Sequence, residues 1–311
     1  MILKLILYKY LMKAMEIKNE KKAFMGFNYP YEFSKAVVIL APYEKTATYR
    51  KGQAAGPDFI IDASNQVETY DIELQADYID KIGFCTLDKL PIQELGIEQA
   101  IEVLYKETKK QFENKKFPII FGGEHSISFG PIKAAFETFS NLSVLQIDAH
   151  ADMRDSYEGS KYNHACVMRR AREIVKVVSI GIRSYCLEEA ELIEKFYKKQ
   201  VYGPELKEKD FEKIISQLTQ NVYITIDIDG FDPSIMPATG TPEPDGLEWK
   251  TTLRFLKKVF EKKEVVGFDI VELAPIQGEN ITEFNCAKLA YKLAGYKFLE
   301  FLRQKSKRAL E

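Results

Sequence analysis

One stretch of the chain, residues 144–152, reads VLQIDAHAD. Its first four residues are mostly apolar and rich in strand formers, which is typical of a buried strand in a parallel sheet. The next five residues place Asp148, His150 and Asp152 at alternate positions. Alternate residues of an extended strand point to one face, so the end of this strand can aim all three side chains at a single spot. The stretch therefore predicts a strand that ends in a metal site.

Two further stretches have the same arrangement, a predicted strand followed by polar ligands. The first is GGEHS at residues 122–126, which supplies His125, and the second is DIDGFDP at residues 227–233, which supplies Asp227 and Asp229. Four carboxylates that converge away from bulk water repel one another strongly unless cations lie between them. Together with the two imidazoles, they predict a two-metal enzyme.

The remaining sequence alternates predicted strands with predicted helices, which is typical of a parallel sheet covered by helices on both faces. Strands are predicted at residues 37–42, 118–121, 144–148, 175–181, 223–227 and 265–271. Helices are predicted around residues 97–112, 169–174, 187–199, 207–219, 249–262 and 287–302. Ligand sites of such folds form at the carboxyl ends of the strands, where the candidate ligands lie. We expect a three-layer α/β/α fold with a mainly parallel central sheet.

The chain has no linker, low-complexity tract or internal repeat. We therefore expect one catalytic domain over residues 25–311, preceded by an N-terminal extension of residues 1–24. The apolar part of that extension, residues 1–12, is interrupted by lysines and falls short of the roughly 20 residues that span a bilayer.

Composition limits the class of partner. The formal net charge of −2 argues against binding to nucleic acid. Four cysteines are scattered without a CxxC pair, which favours reduced thiols in the cytoplasm. We expect a cytoplasmic protein that acts on a small molecule and has no nucleic-acid or membrane partner.

The donor types favour one metal and leave some roles open. Four carboxylates and two imidazoles suit manganese better than zinc, which prefers four ligands with more nitrogen and sulfur. Asp227 and Asp229 could instead accept hydrogen bonds from turn amides. Asp232 is interpreted as such a turn residue. Glu124 would point away from His125 on an extended segment, so we interpret it as a supporting residue.

The motifs together resemble the ureohydrolase family, which includes arginase and agmatinase. The resemblance rests on GGEHS, DAHAD and DIDGFDP in this order and on ATGTPEP at residues 238–244, and it covers the chain from about residue 37 to the last helix. It implies an arginase-like fold and two Mn²⁺ ions per chain. The implied ligands of one ion are His125, Asp148, Asp152 and Asp227. Those of the other are His150, Asp148, Asp227 and Asp229, with Asp148 and Asp227 bridging.

The resemblance also implies roles for two residues outside the ligand set. Glu272, in DIVELAP at residues 269–275, matches the glutamate that binds the guanidinium group in the family. His164 matches the histidine that transfers a proton on the substrate side, a role for which the imidazole side chain is suited. Two cations that share a water lower its pKa toward neutrality, so that hydroxide can add to the guanidino carbon.

The segment MRDSYEGSKYNH at residues 153–164 resembles the agmatinase branch. It lacks the Asn- and Ser-rich loop with which arginases bind the α-carboxylate and α-amino groups. The implied reaction is hydrolysis of agmatine to putrescine and urea, a step of polyamine biosynthesis, in a homo-oligomer.

The chain departs from the commoner agmatinase pattern at Ala165-Cys166 and at Asp245. Aminopropylagmatine and guanidinobutyrate therefore remain open as substrates, with arginine as a further alternative. The alternative of a different class is a metal-binding homologue that serves in assembly without turnover.

Overall fold

Seven parallel strands form the central sheet of the computed structural model, which describes residues 18–19 and 22–310 and the side chains of residues 22–298. The strands are β1 (Ala36–Ala41), β2 (Phe84–Thr86), β3 (Phe117–Gly122), β4 (Leu142–Ile147), β5 (Lys176–Ile180), β6 (Asn221–Asp227) and β7 (Glu264–Val271). Their order across the sheet is β2-β1-β3-β7-β6-β4-β5, and every neighbouring pair is parallel. The predicted parallel sheet is confirmed.

Nine α-helices accompany the sheet in the described part of the chain. They are α1 (Gly56–Ser64), α2 (Ile79–Ile82), α3 (Ile97–Glu113), α4 (Phe129–Thr138), α5 (Val167–Arg172), α6 (Leu187–Leu192), α7 (Phe211–Gln217), α8 (Trp249–Lys262) and α9 (Ile281–Leu310). None of these helices is both long enough and apolar enough to cross a membrane. The described part of the chain also has two short antiparallel pairs, Lys18–Asn19 with Phe27–Asn28 and Tyr70–Asp71 with Ala76–Asp77.

The helices lie in two layers because each strand buries side chains on both of its faces. In β1, Val38 and Leu40 join the apolar cluster that includes residues of α1, α7, α8 and α9. Val37 and Ile39 point the other way and pack with residues of α3. Alternate residues of a strand point to opposite faces, so apolar residues at successive positions require helices on both sides. The predicted three-layer α/β/α architecture is confirmed.

The strand order explains why the candidate ligands meet. His125 follows β3, residues 148–152 follow β4, and Glu272 follows β7, whereas Asp227 is the last residue of β6 and Asp229 lies just beyond it. These four strands are contiguous in the sheet as β3-β7-β6-β4. The carboxyl ends of parallel strands share one edge, so the four segments lie side by side. In the sequence, the outermost two of these residues, His125 and Glu272, are 147 positions apart.

The local geometry of DAHAD differs from the prediction. Strand β4 ends at Ile147, and residues 148–152 do not continue it as a regular strand, although His150 forms an isolated parallel bridge with Ser184. Asp152 has a φ of 53°, in the left-handed region. The prediction that strand alternation aims Asp148, His150 and Asp152 at a single spot was therefore wrong. The irregular segment that follows the strand directs them instead.

Several other predicted bounds also shift. The charged helix predicted at residues 187–199 is α-helical only as far as Leu192, where α6 ends. A π-helical turn follows over Ile193–Tyr197. The helix predicted at residues 249–262 is confirmed with the same bounds. Of the extension predicted over residues 1–24, residues 1–17, 20 and 21 lie outside the described residues, so the domain boundary stays a prediction.

Gly123 allows the segment after β3 to approach the segment after β1. A Cβ at this position would lie 1.9 Å from the carbonyl oxygen of Tyr43. That same oxygen accepts a hydrogen bond from the Glu124 amide at 2.9 Å. Only a residue without a side chain fits here, and the close approach sets the position of the neighbouring His125.

Replacing Gly123 with Ala should force the Tyr43 backbone away and lower the free energy of unfolding by about 1–3 kcal/mol or more. Gly203→Ala is the matched control, because a Cβ there meets no described atom closer than the Ile182 carbonyl oxygen at 3.7 Å. Urea unfolding of the two variants and the wild type measures the difference. Equal midpoints for all three proteins would show that the backbone at Gly123 is not constrained.

Candidate metal centre

The Nδ1 atom of His125 lies at the centre of a cluster of three carboxylates. It is 3.2 Å from Oδ2 of Asp148, 3.1 Å from Oδ2 of Asp152 and 3.4 Å from Oδ2 of Asp227. All four side chains are buried, and the Nδ1 atom has no hydrogen-bond partner within the described structure. A buried ring nitrogen without a partner, facing three carboxylate oxygens, fits the ligand set of a cation.

A second group of potential ligands lies beside the first and shares Asp148 with it. The Nδ1 atom of His150 is 2.9 Å from Oδ2 of Asp229 and 3.8 Å from Oδ1 of Asp148. The ligand atoms of these three residues lie within 4.8 Å of one another. Because Oδ2 of Asp148 faces His125 and Oδ1 faces His150, this carboxylate has the geometry of a bridge between two ions. The structure thus brings together all six residues that the sequence predicts as metal ligands.

Hydrogen bonds outside the cluster fix how the carboxylates face it. Asp148 accepts a bond from the Gln146 side chain at 2.9 Å through Oδ2. Asp229 accepts the Ala149 amide at 3.0 Å through Oδ1, and Asp227 accepts the Asp229 amide at 3.0 Å through its own Oδ1. For Asp227 and Asp229, one oxygen is held by the backbone while the other faces a histidine. Such outer contacts orient metal ligands in proteins.

His125 is oriented by a buried hydrogen-bond network that the sequence analysis missed. Its Nε2 atom lies 2.9 Å from the hydroxyl of Thr225, which donates to Asp269 at 2.6 Å. Asp269 also accepts bonds from the hydroxyls of Tyr223 and Ser128. A sequence signal existed, because Thr225 and Asp269 are polar residues inside otherwise apolar strands, β6 and β7.

The pKa shifts in the cluster show that its carboxylates require positive charge nearby. Burial and the charges of Asp152 and Asp229 raise the pKa of Asp148 to about 7, and burial with the same kind of repulsion holds the pKa of Asp227 well above its usual range. Burial alone would lower the pKa of His150, but the facing carboxylates raise it to about 11. In the chain by itself, protons must carry the positive charge that cations would otherwise supply.

Glu272 and His164 face the same cavity as the cluster, which has a volume of about 290 Å³. One oxygen of Glu272 accepts the His125 amide at 2.6 Å, and the other accepts the Gln53 side chain at 3.2 Å. Burial raises the pKa of Glu272 to about 8. The Nδ1 atom of His164 lies 3.0 Å from the Thr46 hydroxyl. The sequence analysis missed Gln53 and Thr46, which lie in a polar loop without a distinctive pattern.

The structure also places the two acidic residues that the sequence analysis left out of the ligand set. Asp232 accepts hydrogen bonds from the amides of Ser234 and Gly246, as expected of a turn residue. Glu124 is fully buried and accepts the amides of Lys45 and Thr46 in the segment after β1. Its interpretation as a supporting residue is confirmed. The part of the chain that it supports is the segment after β1.

Comparisons with known proteins place this geometry in a family. The model of the arginase family matches residues 34–295. The N(1)-aminopropylagmatine ureohydrolase of a Synechocystis species is 42% identical over 86% of this chain and 90% of its own length. The agmatinase of Pyrococcus horikoshii is 35% identical over 83% of this chain and 90% of its own length. The crystal structure of the agmatine ureohydrolase of Thermoplasma volcanium superposes with a TM-score of 0.81 at 32% identity, covering 95% of this chain and 99% of that one.

The cluster should bind two divalent ions per chain, because it offers two ligand groups joined by Asp148. Asp148→Ala should abolish both sites, whereas His125→Ala should chiefly weaken one. Asp88→Ala is the control, because Asp88 is exposed and remote from the cluster in sequence. Metal content after dialysis, measured by inductively coupled plasma mass spectrometry, should be two ions for wild type and control, close to none for Asp148→Ala and about one for His125→Ala. Retention of both ions by Asp148→Ala would rule out the bridging arrangement.

Proposed function

The chain belongs to the arginase family, and on that premise we propose that it hydrolyses the guanidino group of agmatine to putrescine and urea. One observation carries the proposal. Beside the four aspartates of the cluster lies a fifth buried carboxylate, Glu272, in the same cavity. Two divalent ions would balance the four aspartates. Glu272 then remains as the partner of one cationic group of a substrate, and a guanidinium ion supplies one.

The carboxylate of Glu272 has free hydrogen-bond positions that suit a planar cation. A carboxylate can accept about four hydrogen bonds, and the contacts with the His125 amide and Gln53 use one position on each oxygen. One position on each oxygen remains, which matches the paired N–H groups of a guanidinium fork. The left-handed backbone of Glu272, with φ at 69°, and the bond from its amide to the Gly123 carbonyl at 2.8 Å fix the side chain at the end of β7.

The ligand set suits two Mn²⁺ ions, which would lower the pKa of a shared water and so supply hydroxide at neutral pH. The residues of the chain do the remaining work. Glu272 orients the guanidinium with its carbon toward the cluster. Addition of water oxygen to this carbon gives a tetrahedral intermediate, and the bond from carbon to the alkyl-bearing nitrogen then breaks. The electron pair of that bond goes to the nitrogen, and His164 supplies the proton with which the amine leaves.

The proposal also specifies the tail of the substrate, the end that lies away from the guanidino group. The segment over residues 153–164 contributes Arg154, Tyr157 and His164 to the cavity, and none of its asparagine or serine side chains lines it. This supports a substrate without the α-carboxylate and α-amino groups of arginine.

N1-aminopropylagmatine is the second candidate, because the relative that is 42% identical over 86% of this chain carries that substrate in its name. The Arg50 Nη1 atom, buried without a partner among the described residues, also makes guanidinobutyrate worth testing, since its carboxylate could pair with it.

Glu272→Gln should lower kcat/KM by about 10²-fold, because loss of a charged hydrogen-bond pair costs about 1.5–3 kcal/mol. Glu188→Gln, on the exposed surface of α6, is the control and should leave kcat/KM unchanged. Urea release in the presence of Mn²⁺ measures both. Full activity of Glu272→Gln would remove this residue from the substrate site.

Agmatine, or its aminopropyl derivative, should be hydrolysed roughly 10³-fold more efficiently than arginine, because residues 153–164 place no asparagine or serine side chain in the cavity to receive the α-carboxylate and α-amino groups. The assay compares kcat/KM for agmatine, aminopropylagmatine, arginine and guanidinobutyrate. Values for agmatine and arginine within about tenfold of each other would contradict the agmatinase assignment. A large preference for aminopropylagmatine would change only the tail of the proposed substrate, and a preference for guanidinobutyrate would overturn the proposed amine-bearing tail. Absence of urea release from every substrate would favour a non-catalytic homologue.

A further inference from the structure

A chain of polar contacts leads from His164, on the cavity wall, to a fully buried carboxylate. The His164 Nδ1 atom lies 3.0 Å from the Thr46 hydroxyl oxygen. The same oxygen lies 2.9 Å from Oε1 of Glu124, which is 0% exposed. These three residues come from different segments, which follow β1, β3 and β4 in the chain. Their meeting is therefore a product of the fold and has no local sequence signature.

Glu124 is used entirely as an acceptor. Its Oε2 atom accepts the amides of Lys45 at 2.8 Å and Thr46 at 2.6 Å. Its Oε1 atom accepts the hydroxyls of Thr46 at 2.9 Å and Ser126 at 2.5 Å. Four donors fill the positions of an ionised carboxylate, which has no proton of its own to give. The proton of the Thr46 hydroxyl therefore points toward Glu124.

The direction of that proton determines the state of the histidine ring. A hydroxyl has one proton and two lone pairs, and the Thr46 proton is used on Glu124. The backbone amide of His164 donates to the Thr46 oxygen at 3.1 Å and occupies one lone pair. The second lone pair faces the His164 Nδ1 atom, which must then carry a proton to make a hydrogen bond. The Nε2 atom then carries the lone pair of the ring, and His164 lines the cavity.

We propose that Glu124 and Thr46 are positioning residues that hold His164 as the Nδ1–H tautomer. This inference rests on the proposed function, in which His164 transfers a proton. Nε2 takes a proton as the water adds, while the Nδ1–H bond to Thr46, itself anchored on Glu124, keeps the ring in place. When the amine leaves, the Nε2–H bond breaks, the proton passes to the leaving nitrogen, and the ring returns to the neutral Nδ1–H form.

A further contact supports a fixed ring. The aromatic ring of Tyr157 meets the His164 ring edge-on, with a centroid distance of 6.3 Å and an interplanar angle of 85°. Arg154 stacks over the Tyr157 ring, with its guanidinium carbon 4.6 Å from the ring centroid. Packing thus limits the ring orientation, while the bond to Thr46 selects the tautomer.

The tautomer can be read directly, because the chain has three histidines. Nitrogen-15 spectra of the full chain labelled at histidine, recorded without paramagnetic Mn²⁺, distinguish Nδ1–H from Nε2–H, and His164→Asn assigns the signal. The wild type and Thr46→Ser should show Nδ1–H at His164, whereas Thr46→Val should lose this preference. An Nε2–H tautomer in the wild type would overturn the proposal. This measurement needs no turnover, so its outcome is separate from that of the proposed reaction.

Kinetics distinguish a positioning role from a structural one. With the best guanidino substrate, Thr46→Val should lower kcat about 10²-fold with little change in KM, and Thr46→Ser should recover most of the loss. In a His164→Asn background, Thr46→Val should cause no further loss, because its effect acts through the histidine. If Thr46→Val lowers kcat by the same factor in the His164→Asn background as in the wild type, Thr46 supports the loop instead.

Discussion

Negative charge gathered away from water is the constraint on which the rest of this structure depends. Asp148, Asp152, Asp227 and Asp229 are all buried at one edge of the sheet, with Glu272 beside them. Like charges in such surroundings are stable only with protons or cations between them. The raised pKa values of Asp148 and His150 show this requirement in the chain alone. Under the proposed function, two divalent ions would balance the four aspartates and would leave Glu272 as the partner of a cationic substrate.

The fold meets this constraint through strand order. Strands β3, β7, β6 and β4 are contiguous, so four segments that are far apart in the sequence end at the same edge. Backbone amides and buried hydroxyls then fix each side chain: Asp229 is held by Ala149, and His125 by Thr225. A similar set of hydrogen bonds occurs at His164, where we propose that Thr46 and Glu124 fix the tautomer of the ring. A rigid set of donors is the arrangement that catalysis by charge stabilisation requires.

Much of this could be predicted from the sequence, and the limits have physical causes. Apolar runs followed by polar ligands predicted the parallel sheet and the six ligands, because strand formation and ligand chemistry are local properties. The irregular segment after β4 was not predictable, since the left-handed Asp152 is set by its surroundings. Thr46 and Gln53 were missed because a hydroxyl or amide in a polar loop has no pattern until the fold brings it to its partner. Thr225 and Asp269 did carry a signal, as polar residues within buried strands.

The central claim is that the buried carboxylates hold a pair of divalent ions. Anomalous diffraction from crystals grown with Mn²⁺ tests it most directly, because the ions are located without reference to activity. The account predicts two anomalous peaks about 3.5–4 Å apart. One should lie beside Nδ1 of His125 and the other beside His150, with Asp148 between them. A single peak, or no peak within reach of His125 and Asp148, would contradict it.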